Sequence, residues 1–355
     1  MNTHLPRFIR PLLAAALVSS GLAAEAQGSG TPAPLSLQII NHGPASFHVN
    51  SVLVSGAKEA ILLDAGFTRA DALRVAAAVL DSGKKLSTIY VSAADPDYYF
   101  GLEVLHAEFP EARIVAAAPT LKKLAAALPT KLQVWGPRLG ANAPRQPVLP
   151  EALAGNSLSL EGQTLEIRGL DDSLAHRSYV WIPSIKAVVG GVNVFGNLHA
   201  WTADTQTAAE RAAWLAKLDG IAALQPAVVV PGHMLPGTPQ DLTAVHHTRA
   251  YLQRFEAELP KAADAAALIA GMKAAYPQAG LGIALEIGAK VNKGEMKWQS
   301  ALDRGPVAAQ HAGHEYCHRS IPRCLARPLP LVVDALARLP GPGVAEPCQV
   351  PGHRT

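Results

Sequence analysis

The chain has 355 residues, 49% of them hydrophobic and 17% charged; that is enough for one large domain or two ordinary ones, and too apolar for wholesale disorder. Its formal charge of +3 sits at the two ends, with Arg7, Arg10 and Glu25 near the start and an arginine-rich stretch after Trp298. The near-neutral body argues against a nucleic-acid groove or a polybasic membrane patch.

Arg7 and Arg10, the apolar run 12–24 and the Ala24-Glu25-Ala26 site form the pattern of a secretory signal over residues 1–26. The mature chain is expected to begin near Gln27, in a periplasm-like compartment or outside the cell. The run is too short for a spanning helix, so no stable membrane anchor is expected after cleavage. Cys317, Cys324 and Cys348 all follow Trp298. Any metal in the body must therefore be held by nitrogen and oxygen.

Strands are expected at 37–41, 47–54 and 60–64, the last ending at Asp64 and a Gly66 turn. Thr68 is placed to cap a helix over 69–80, with Leu73, Ala76, Val79 and Leu80 on its apolar face. A strand at 86–91, a helix at 99–109, a strand at 113–117 and a helix at 121–128 follow, and this alternation predicts an α/β layer architecture. Residues 135–150 carry Gly136, Pro137, Gly140, Pro144, Pro147 and Pro150 and read as a long irregular loop, a lid or a surface excursion. A hairpin over 157–168 and a second pair over 178–189 precede a helix at 207–224. A strand at 227–230 then ends in Pro231-Gly232-His233, and a helical region at 240–276 breaks near Pro260. Residues 27–298 are read as one domain and the Pro-rich stretch 299–355 as a poorly ordered tail.

One stretch stands out chemically: Ser92-Ala93-Ala94-Asp95-Pro96-Asp97-Tyr98-Tyr99-Phe100-Gly101, between an apolar strand and a helix. Carboxylates there either cap the helix or meet a cation. With the Asp64 turn before it and Val228-Val229-Val230-Pro231-Gly232-His233 after it, the order resembles the metallo-β-lactamase-fold superfamily over residues 36–298. That resemblance implies a four-layer αββα sandwich. It also implies two divalent metals, most often zinc, that hold a hydroxide for attack on an ester, amide or phosphodiester.

Laid on the family's T-H-x-H-x-D-H signature, Ser92 takes the Thr position and Asp97 the Asp position, while Ala93, Asp95 and Tyr98 stand where the histidines belong. His233 matches the final ligand. Leu170 stands where a later His is expected, and Val192 where a bridging Asp is expected. The resemblance then implies at most one divalent ion, Zn or Mn, on Asp95, Asp97 and His233, joined by Asp171, His176 or His199. Asp97 and His233 are the expected catalytic pair, and Tyr98 and Tyr99 are placed to line a substrate pocket. Two functions fit this reading. One is an exported hydrolase of a small ester, lactone or amide using a metal-bound water. The other is a catalytically silent protein that binds a small molecule or partner in the same cleft.

Overall fold

The computed structural model describes residues 33–298. The expected signal segment and the Pro-rich tail lie outside those residues.

Three antiparallel strands open the fold: β1 (Ser36–Asn41), β2 (Asn50–Ser55) and β3 (Glu59–Leu63). Helix α1 (Arg69–Asp81) leads to β4 (Lys85–Val91), which pairs parallel with β3. Two short helices, α2 (Pro96–Tyr99) and α3 (Leu102–Glu108), precede β5 (Arg113–Ala116). The long α4 (Ala118–Leu139) and β6 (Glu151–Ala152) complete a six-stranded sheet in the order β1-β2-β3-β4-β5-β6. The second half holds β7 (Ser157–Leu160), β8 (Gln163–Arg168), β9 (Tyr179–Ile182), β10 (Ala187–Val189) and β11 (Phe195–Gly196). Then come α5 (Ala208–Ala223), β12 (Val228–Val229), β13 (His233–Met234), α6 (Leu242–Glu258), α7 (Ala265–Ala275) and α8 (Gly282–Asn292). The second sheet runs β12-β10-β9-β8-β7, and β11 pairs separately with β13.

The two-residue periodicity of the strands explains the layers. Val52, Val54, Ile61 and Leu63 of the first sheet form one buried cluster with Leu165, Ile167, Val180 and Ile182 of the second. The intervening residues Leu53 and Leu62 join Ala72, Val75 and Val79 of α1, while Trp181 and Val188 belong with Trp214 and Leu218 of α5. Two sheets packed face to face with helices on their outer faces make the αββα sandwich that the sequence implies.

Three local expectations change. Thr68 does cap α1 and shares a capping box with Asp71. The buried face of α1, however, is Ala72, Val75, Ala76 and Val79, leaving Leu73 and Leu80 53% and 66% exposed. The helix expected at 99–109 is instead two, α2 ending at Tyr99 and α3 starting at Leu102. Gly101 between them packs so close to the Ala65 carbonyl that a Cβ would lie 2.0 Å from its oxygen. The loop expected from Trp135 instead begins at Gly140, since α4 continues through Pro129 and Pro137. Both prolines lie off the buried face, so water reaches the carbonyls they free, and the inward stripe Thr120, Leu124, Ala127 and Trp135 holds the helix down.

A buried Ser51–His42–Asp71 relay anchors α1 to the first sheet. His42 Nε2 is 2.8 Å from Ser51 Oγ, and Nδ1 is 3.6 Å from Asp71 Oδ1. Ser51 has no exposed surface, so this arrangement is structural rather than an open nucleophile.

Candidate functional site

Asp64, Ser92 and Gly191 build the cradle of the site. Asp64 adopts a left-handed φ of 64° and accepts from Ser92 N at 2.8 Å and from Ser92 Oγ at 2.7 Å. Ser92 Oγ in turn accepts from Gly191 N at 2.8 Å. One hydroxyl thus ties together the loops after β3, β4 and β10. Burial, partly offset by the bonds from Ser92, pushes the Asp64 carboxyl up to about 7.

Above this cradle lies a cleft enclosing about 40 Å³, room for about three waters. Its walls are aromatic (Phe47, Trp135, Phe195, Trp201 and Trp298), and Asp95, Asp97, Asp204, Lys131 and His233 supply its polar groups. His233 is fixed on three sides. Its Nδ1 donates to the Phe47 carbonyl at 2.9 Å, its ring stacks on Phe195 at 5.0 Å, and Tyr98 meets it edge-on at 5.7 Å. With the proton on Nδ1, Nε2 is left as an acceptor 3.5 Å from Asp97 Oδ2. Burial lowers the imidazole to about 4, whereas burial and neighbouring Asp95 push the Asp97 carboxyl well above the usual range.

Asp95 occupies the N-cap position of α2, yet its side chain caps nothing. Its Oδ1 faces Lys131 Nζ at 3.7 Å, and Lys131 also lies 5.7 Å over the Trp298 ring. Asp204 is clamped by two indoles, accepting from Trp201 Nε1 at 2.8 Å and Trp298 Nε1 at 2.9 Å. Burial opposes its ionisation, but Lys131, Lys123 and the two indoles together hold it below the usual carboxylate range. A second cation lies beneath: buried Arg177 donates from Nη2 to the Val192 carbonyl at 2.9 Å and stacks 4.1 Å over Trp214.

The sequence matches the family model described as the metallo-beta-lactamase superfamily over residues 46–233. The chain belongs to this superfamily. Among solved structures it is similar to a metallo-beta-lactamase from Pontibacter korlensis, with 19% identity over 62% of this chain and 94% of that one and a TM-score of 0.44. A metallo-beta-lactamase family protein from Thermus thermophilus shows 17% identity over 73% of this chain and 91% of that one, with a TM-score of 0.49. No curated protein matches the chain.

Superfamily members usually bind zinc, and the donor set can be tested for that. Of the six residues expected as metal ligands, the structure brings Asp95, Asp97 and His233 to one cleft. It does not bring the other three. Asp171 lies in a separate surface groove with Asp172 and Lys217. His176 faces Lys123, its Nε2 2.9 Å from Nζ, and burial with that ammonium lowers it to about 3. His199 is buried against Tyr251, its Nδ1 3.2 Å from the phenol oxygen. Tyr98 fills the space between the two glycine loops, with its hydroxyl 3.4 Å from the Gly191 carbonyl; a Cβ on Gly232 would come within 2.6 Å of that hydroxyl. Tyr99 turns into the core, its hydroxyl without a partner, so neither tyrosine lines the cleft as expected.

Among the described residues no group of three or more His, Cys, Asp or Glu side chains is disposed to hold a metal. Only Asp97 and His233 face one another, and the third cleft donor, Asp95, is paired with an ammonium. This donor set does not fit the superfamily's zinc. Two of the groups that define the cleft, Lys131 and Asp204, carry no family signature. The available signals were the i, i+4 spacing of Lys131 and Trp135 on α4 and the i, i+3 spacing of Trp201 and Asp204 just after His199.

Proposed function

We propose that the protein is an exported superfamily member that binds a small organic molecule in the ancestral cleft, without a metal-activated hydroxide. The Lys131–Asp95 pair carries this reading, because the chain's own ammonium sits against the carboxylate that a metal would need. Aromatic walls with a few convergent polar groups suit a small-molecule site. Asp97 and His233 then serve as a hydrogen-bonding pair toward the ligand. The raised carboxyl donates, and the imidazole, held as its Nδ1–H form by Phe47, accepts at Nε2.

Hydrolysis of a small ester, lactone or amide is the second reading, and the Asp97–His233 pair is what favours it. An imidazole lowered to about 4 is nevertheless a weak base for water near neutral pH.

The deciding experiment uses the mature protein expressed without added metal. Elemental analysis is expected to give far less than one zinc or manganese per chain, and EDTA or added Zn²⁺ or Mn²⁺ to leave the melting temperature unchanged. One tightly held ion whose removal lowers the melting temperature would overturn the reading. Ester, lactone or amide turnover that survives EDTA but is lost in Asp97→Ala and His233→Ala would instead establish the second. N-terminal sequencing of secreted material checks export, with a start near Gln27 expected.

A further inference from the structure

We propose that the ligand of this cleft is an organic cation, a small primary amine on an apolar body, which takes the seat now held by the Lys131 ammonium. The proposal rests on the metal-free reading of the cleft and adds the chemical class of its occupant.

Three observations converge. First, the wall carries three acidic side chains, Asp95, Asp97 and Asp204. The ammonium that lines it, Lys131, is paired with Asp95, with Lys123 and Arg177 as further cations near these groups. A neutral molecule displacing the ammonium would leave Asp95 without its nearest counter-charge. Second, the cleft walls are aromatic, and a cation is stabilised over the π face of such a ring. Lys131 already uses one such face, 5.7 Å over Trp298. Third, the Asp97 side chain is buried, with the residue 5% exposed. It lies 3.5 Å from His233 Nε2 and faces the cleft.

Lys131 behaves as a tethered version of the ligand. It comes from α4, reaches across to Asp95, and retains 15% side-chain exposure. Its seat therefore opens toward solvent. With Lys131 in place the cleft encloses about 40 Å³, too little for more than a few waters. When the lysine arm swings out, the space it held beside Asp95 and Trp298 joins the cleft. An entering ammonium exchanges one cation for another, so no carboxylate is left uncompensated. Asp204 is the specificity element: its two oxygens are already oriented by Trp201 and Trp298, so its charge is held in place before a ligand arrives.

The test uses protein shown by elemental analysis to be metal-free, with benzylammonium, benzyl alcohol and phenylacetate as matched cationic, neutral and anionic probes. Binding is read by the fluorescence of Trp135, Trp201 and Trp298 and by the shift in melting temperature. Benzylammonium is expected to bind and raise the melting temperature, and the other two to bind at least tenfold more weakly. Lys131→Ala is expected to bind benzylammonium at least tenfold more tightly. Its melting temperature should also recover with propylammonium, which replaces the atoms removed. Asp204→Asn is expected to lose at least tenfold in amine affinity in either background. Should Lys131→Ala not fold, the wild type and Asp204→Asn decide the matter alone. Phenylacetate binding as tightly as benzylammonium, or amine binding indifferent to Asp204→Asn, overturns the proposal. Failure of amine binding in metal-free protein counts against the cation alone, whereas stoichiometric zinc in the same sample counts against the metal-free reading.

Discussion

Ser92 holds the cradle together, since its hydroxyl donates to Asp64 and accepts from Gly191 N while its backbone N–H also reaches Asp64. Ser92→Ala would leave a buried N–H and a buried carboxyl oxygen short of a partner. It should lower the unfolding free energy by about 1–3 kcal/mol, measurable by urea denaturation. Asp64 makes a second prediction, on pH. Its folded-state pKa of about 7 lies above the ordinary 3.8. Between those values the folded chain keeps a proton that the unfolded chain has released. Its contribution is therefore fully present below the unfolded value and is lost as pH rises toward 7. Asp64→Asn is expected to flatten the stability–pH profile between about pH 4 and 7 relative to wild type. The place of Ser92 in the motif was implied by the resemblance to the superfamily. Its triple tie was not, because Gly191 lies 99 residues away.

At the scale of elements, α4 carries Lys131 and Trp135 into the cleft, and it does so despite two internal prolines. Each proline removes an intrahelical hydrogen bond, and both lie off the buried stripe. Pro129→Ala should restore one such bond and raise stability by about 1–3 kcal/mol, read as a higher melting temperature with the cleft tryptophan fluorescence unchanged. Glycine and proline at 136–150 read as a loop because local propensity opposes a helix there. The burial of Leu124, Ala127 and Trp135 outweighs that propensity for the first few of those residues. Leu73 and Leu80 of α1 show the converse. Their spacing fits an apolar face, but the sheet takes the neighbouring stripe of Ala72, Val75 and Val79.

For the whole molecule, stability rests on the layer between the sheets. Leu165 is fully buried there, and Leu165→Ala should cost about 2–5 kcal/mol. Leu80→Ala, at a side chain 66% exposed, should stay within about 0.5 kcal/mol. Denaturant titration of the two variants side by side checks both. The alternation of strands and helices was legible in the sequence, because it depends on patterns written within a few residues: alternation along a strand, a cap before a helix. The αββα layers and the pairing of Asp97 with His233 were implied only by the resemblance to the superfamily. What fills the cleft was decided only by tertiary structure. Lys131, Asp204 and Trp298 come from three distant segments, with Asp204 and Trp298 bonded across 94 residues. The charge and aromatic balance of a site depends on distances in space, and no local pattern encodes these.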